Sequence, residues 1–156
     1  MAPNMMLDSM YFPLDTILEE WQNESKLDPA NLDKQSLDIP QLHAKYLKYH
    51  YRIQGQYRNA KSQYKESEQI AYKYYSGRMS MDELKELDLR PFPHKVLKND
   101  LARYIENDEN VSKYRMKMSQ LEDDIKVMES IIDSINRRSF QIKNYIDYMK
   151  FSNGMI

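Results

Sequence analysis

The chain has 156 residues, 41% hydrophobic and 30% charged, with a formal net charge of −1, a balance that suits a modest core carried on long, partly exposed helices. It has no cysteine, which excludes disulfides, thiolate metal sites and a cysteine nucleophile, and its three glycines are too few for a phosphate-cradling loop. No apolar run approaches the roughly 20 residues of a membrane span, and the opening MAPNMMLDSMYF lacks the basic start of a signal peptide, so a soluble intracellular protein is expected.

In chain order, Met5, Met6, Leu7 and Met10 form an adhesive N-terminal cluster, read as core or interface filler. Pro13 and Asp15 then open a short helix in which Leu14, Ile17, Leu18 and Trp21 recur at helical spacing. Residues 25–38, with Pro29, Asn31 and several aspartates, read as a loop. Up to this point the chain carries two lysines against eight acids. Such an acidic segment suits contact with a basic partner or competition for a site that binds anions.

Pro40 sits in the first turn of a long second helix predicted to run to about Tyr75. Leu42, Tyr46, Tyr49, Ile53, Tyr57, Ala60, Tyr64, Ser67, Ala71 and Tyr74 step by three or four, with one stutter between Ile53 and Tyr57. Ser76 and Gly77 end it, the glycine suiting a left-handed C-terminal position. Ser80 and Glu83 make a capping box for a short helix that Arg90-Pro-Phe-Pro breaks, and residues 95–105 read as irregular with helical bias. The last helix starts after a cap at Asn107 or Asp108 and carries Tyr114, Met118, Leu121, Ile125, Met128, Ile132, Ile135, Ser139, Ile142, Ile146 and Met149 in alternating steps of 3 and 4. About 40 residues of helix would be some 60 Å long. Such a stripe needs the second helix, a sister chain, or both to cover it.

The organisation expected is therefore a single all-α domain over 1–156. It comprises an acidic segment (1–38), a basic helix (39–78), a connector (79–106) and a C-terminal oligomerisation helix (107–156). Two long helices pack as an antiparallel coiled-coil-like hairpin beside a short N-terminal helix. Where a sister chain covers the stripe, Leu121, Ile125, Met128, Ile132, Ile135, Ile142, Ile146 and Met149 are the residues expected to make the contact between copies of a homo-oligomer.

Nothing in the sequence assembles a catalytic or metal constellation. His43 and His50 are seven apart on one helix, His94 lies among prolines, and Glu122, Asp123 and Asp124 read as a solvated face. No enzyme activity, metal or cofactor is expected. What stands out instead is the segment 45–78, which holds eight of the thirteen tyrosines and eight basic residues against two glutamates. Most of these tyrosines fall on the packing seam. Tyr51, Arg58, Lys61, Lys65 and Tyr72 project elsewhere as a second stripe about 31 Å long, with Lys73 and Arg78 following at the exit. Basic side chains neutralise phosphates and aromatic rings stack on bases without demanding a sequence, so the pattern points to single-stranded nucleic acid. The competing reading is an ordinary solvated face on a coiled-coil assembly or scaffold protein without a nucleic-acid role.

Two motifs decide between these. Tyr74-Tyr-Ser-Gly-Arg78, closing a long basic helix, resembles the UvsY family of phage recombination mediators. So does the C-terminal pattern of Ile135, Arg137, Arg138, Phe140, Ile142, Lys143, Ile146, Phe151 and Gly154. The resemblance is clear over about 65–78 and 125–154. It implies a non-enzymatic protein, forming ring-like homo-oligomers in the cytoplasm of an infected bacterium. Such a protein binds single-stranded DNA and helps a RecA-like phage recombinase assemble on DNA coated by the phage single-strand-binding protein. The family's pattern has a lysine and an arginine shortly before the tyrosine pair, where this chain has Gln69 and Ala71. DNA contact is then expected from Tyr51, Arg58, Lys61, Lys65, Tyr72, Lys73, Tyr74 and Arg78, together with Arg137, Arg138 and Lys143 of the C-terminal motif.

Overall fold

The computed structural model describes residues 14–154; the methionine cluster at 5–10 lies outside them. In chain order the helices are α1 (Leu14–Glu24), α2 (Leu32–Leu37), α3 (Ile39–Tyr75), α4 (Met81–Glu86), α5 (Leu101–Glu106), α6 (Glu109–Asn136) and α7 (Arg138–Ser152). Among the described residues there is no strand, and no helix is long and apolar enough to cross a membrane. The chain divides into two compact units, one built from residues up to Ile53 and from Asp124 onward, the other from Gln54–Asp123.

The first unit is organised around the heptad positions of its helices. Ile17, Tyr46, Ile53, Met128, Ile131, Ile135 and Ile142 are buried there. Tyr46 is fully enclosed, edge-on to Trp21 at 5.4 Å and to Tyr49 at 5.8 Å, and its hydroxyl donates to Glu24 at 3.0 Å. Burial and this carboxylate both push the Tyr46 phenol pKa upward. Lys45 bridges Glu20 and Glu24 at 2.7 Å each, which ties α1 to the first turns of α3. Residues 25–38 are not all loop: α2 forms within them and packs against α7. The residues that read as breakers build its entry, because Asp28 accepts from the Ala30 amide at 3.0 Å and from the Asn31 side chain at 2.6 Å.

The second unit buries Ala60, Ser67 and Ala71 of α3 with Leu84, Val111 and Leu121. The buried Ser67 hydroxyl is satisfied by the Tyr64 carbonyl at 2.7 Å. Asp108 caps α6 by accepting the amides of Asn110 and Val111 at 3.0 and 3.1 Å. The capping box of α4 is present, with Ser80 and Glu83 satisfying each other's backbone amides. Gly77 adopts φ +69, and the amides of Arg78 and Gly77 return to the carbonyls of Lys73 and Tyr74. This is the paired-bond stop that a left-handed residue allows.

The C-terminal helix departs from expectation. It is two helices, α6 and α7, with the break at Arg137. No proline or glycine lies there; the adjacent Arg138 is buried and donates to the carbonyls of Ser25 at 3.2 Å and Lys26 at 3.3 Å. The expected contact stripe also divides. Leu121, Met128, Ile135 and Ile142 are buried within the chain, Ile125 and Ile132 are half-buried, and Ile146 and Met149 are exposed.

Candidate nucleic-acid interface

The tyrosines sort by what their hydroxyls meet. Tyr46, Tyr49, Tyr64 and Tyr75 donate to Glu24, Glu20, Glu68 and Asp108 at 2.7–3.1 Å. A half-buried ring anchored at its polar end by a carboxylate is a packing element. Tyr75 shows this most fully: burial and Asp108 push its phenol up to about 12. It meets Tyr74 and Phe92 edge-on at 5.1 and 5.0 Å, and Tyr104 in a tilted contact at 5.5 Å. Tyr74 belongs to the same cluster, 5.6 Å from Phe92, so the ring expected near DNA is engaged by its neighbours. Tyr51 and Tyr72, by contrast, are 68% and 40% exposed.

The end of α3 gathers three of the expected residues. The stop at Gly77 folds Arg78 back so that its guanidinium lies 5.6 Å from the centre of the Tyr72 ring. Lys73 provides the carbonyl that accepts the Arg78 amide, and its ammonium sits 2.6 Å from Glu83. The result is one exposed turn with an aromatic face and two cations, at the helix end where the backbone dipole favours positive charge. Lys73 and the Ser80 backbone hold the Glu83 carboxyl at about 2, so it is an anion at neutral pH.

Upstream on α3, Arg58, Lys61 and Lys65 are exposed, and with Tyr72 they fall on one face of the helix within the second unit, over about 21 Å. The Arg58 guanidinium lies back toward Gly55, where a methyl group would meet it at 3.8 Å. Lys61 lies 5.9 Å from the Tyr57 ring. Neither Lys61 nor Lys65 is within ion-pair range of a described carboxylate. Glu68 borders this face but is engaged by the Tyr64 hydroxyl. Of the stripe expected from the helix period, Tyr51 belongs to the first unit and Arg58, Lys61, Lys65 and Tyr72 to the second.

The C-terminal cations differ sharply from one another. Lys143 is exposed; Arg137 is exposed and pairs with Asp133 at 2.6 Å. Arg138 is 5% exposed and holds the turn after α1. Replacing Arg138 by alanine leaves two backbone acceptors without their donor, and is expected to lower stability by about 2–4 kcal/mol. The same change at Lys143 stays within about 0.5 kcal/mol. Urea unfolding of the two variants checks this.

Two features of the site have little signature in the sequence. Glu83 reads as a cap, and nothing local marks it as the partner of a lysine ten residues earlier. Phe92 and Tyr104 read as part of the connector, where no periodicity ties them to Tyr74 and Tyr75.

A family profile described as "Recombination, repair and ssDNA binding protein UvsY" matches residues 20–155. No curated protein sequence matches the chain. Among solved structures, crystal forms of the bacteriophage T4 recombination mediator protein UvsY superpose on it. One form has 22% identity and a TM-score of 0.78, covering 92% of this chain and 99% of the other. A second has 20% identity and a TM-score of 0.73, covering 90% and 98%.

Proposed function

The chain belongs to the UvsY family of recombination mediators, and we propose that it binds single-stranded DNA and promotes loading of a RecA-like recombinase onto DNA covered by a phage single-strand-binding protein. The observation that carries this reading is the face of the second unit on which Arg58, Lys61, Lys65 and Tyr72 align, ending in the Tyr72–Arg78 turn. Cations at this spacing follow a phosphate backbone, and an exposed ring offers a stacking platform that tolerates any base. The role requires no bond to be made or broken. The protein holds DNA, competes with the single-strand-binding protein for it, and passes it on in the cytoplasm of the infected host.

A ring-like homo-oligomer completes the proposal. Its support is α7, whose Ile142 and Arg138 are buried while Phe140, Tyr148 and Phe151 are 63–70% exposed. A helix that is apolar on two sides needs a second covering surface, and another copy of the chain provides one. Several copies on one strand convert weak contacts into firm binding, because every contact after the first is intramolecular. Changing Phe140 and Phe151 together to glutamate is expected to shift the sedimenting species to a monomer with its helix content intact; an undiminished oligomer would move the contact elsewhere. The antiparallel hairpin of α3 and α6 draws support from contacts inside each unit. Tyr75 near the end of α3 meets Asp108 before α6, and His50 near the start of α3 lies 3.8 Å from Glu129 late in α6.

The test is fluorescence anisotropy of a labelled oligonucleotide, single-stranded and then duplex, across a salt series. Single-strand-preferring binding that weakens steeply with salt, together with stimulation of recombinase on coated DNA, is the expected result. Absence of binding at low salt would remove the reading.

A further inference from the structure

We propose that Glu83 occupies the phosphate position at Lys73, so that single-stranded DNA must displace this carboxylate to engage the end of α3. The inference rests on the DNA-binding reading above and concerns how that face is controlled. The ion pair is short, 2.6 Å, and exposed, with the lysine and glutamate side chains 52% and 38% accessible, so an incoming phosphate can reach the same ammonium. A carboxylate and a phosphate oxygen offer Lys73 the same kind of charged acceptor.

Glu83 is not a mobile side chain that happens to lie near a lysine. Its second oxygen accepts the Ser80 amide at 2.8 Å while the Ser80 hydroxyl accepts the Glu83 amide at 3.2 Å. The capping box therefore aims the carboxylate at α3. The helix it opens is acidic, with Asp82, Glu83 and Glu86 against Lys85. Beside it, Tyr72 and Arg78 are the aromatic and cationic neighbours a nucleotide would meet next.

Competition of this kind lowers the affinity of each subunit without removing any DNA contact. A short or isolated strand gains too little to displace Glu83, whereas a strand held by several copies does so at successive sites. The carboxylate thus favours long strands on an assembly, and it makes release of DNA easier once fewer contacts remain.

Glu83→Gln tests the idea with little disturbance, because glutamine also serves at this position of a capping box. Wild type, Glu83→Gln, Lys73→Met and the double variant are titrated with a labelled poly-dT oligonucleotide across a salt series, with circular dichroism to verify the helices. Glu83→Gln is expected to tighten binding about 5-fold at 0.1 M salt and to steepen the slope of log K against log salt by about 0.7, the contribution of one released counterion on a single strand. The gain should vanish in the Lys73→Met background. Unchanged affinity in Glu83→Gln, with Lys73→Met still weakening binding, overturns the proposal and leaves the DNA-binding reading standing. An equal gain with and without Lys73 also overturns it, since the effect would then be that of net charge alone. Failure of all four proteins to bind at low salt removes the DNA-binding reading itself.

Discussion

Replacing Arg58, Lys61 and Lys65 together by alanine is expected to weaken binding of single-stranded DNA about 100-fold at 0.1 M salt and to flatten the slope of log K against log salt by about 2. The magnitude follows from three phosphate contacts on a single strand, each releasing about 0.7 of a counterion. All three side chains are exposed on the outer face of α3. Stability should therefore change by only about 0.5 kcal/mol or less per site. A large loss of affinity with unchanged helix content assigns the DNA path to the second unit. Undiminished binding would move the path to Lys143 and Arg137 in the first.

Tyr46→Ala should have the largest effect on folding, a loss of about 3–5 kcal/mol. The ring is fully buried between Trp21 and Tyr49, and its hydroxyl answers Glu24, so truncation opens a cavity and removes a donor from a half-buried carboxylate. Tyr46→Phe keeps the ring and removes only the hydroxyl, and about 1–2 kcal/mol should be lost. Urea denaturation of both variants separates packing from hydrogen bonding at this position. Equal losses would mean that the bond to Glu24, rather than the ring, secures α1 to α3.

Much of the architecture was legible in the sequence because it is periodic. Buried Tyr46, Ile53, Ala60 and Ser67 are seven apart, as are Leu121, Met128, Ile135 and Ile142, and such spacing survives reading without coordinates. Local stop and start signals were equally direct: the Ser80–Glu83 box, the left-handed Gly77 and the Asp108 cap each depend on neighbours in the chain. The break at Arg137 was not legible, since the heptad pattern runs through it and its counterpart lies 112–113 residues away in the carbonyls that Arg138 meets. An arginine in a basic motif looks like a DNA contact until its burial is known. For the same reason α2 was hidden: Pro29, Asp28 and Asn31 mark a turn, and the turn is what starts the helix.

The division among tyrosines was only partly readable. Helical angle separates Tyr51 and Tyr72 from the seam, and both are exposed. Tyr74 lies near the boundary between faces, and Phe92, some eighteen residues later, decides its environment.

The packing of Trp21 against Tyr46 has an optical consequence. Trp21 is the chain's one tryptophan, and it lies in the first unit, so indole emission follows the fate of that unit. Far-ultraviolet ellipticity sums the helices of both. Melting curves from the two signals that superimpose define one cooperative transition, whereas curves that separate mean that residues 54–123 lose their helices in a step of their own. The protein thus carries an intrinsic lamp in one unit, and the unit proposed to hold DNA has no tryptophan, which leaves it open to a single engineered one as its own reporter.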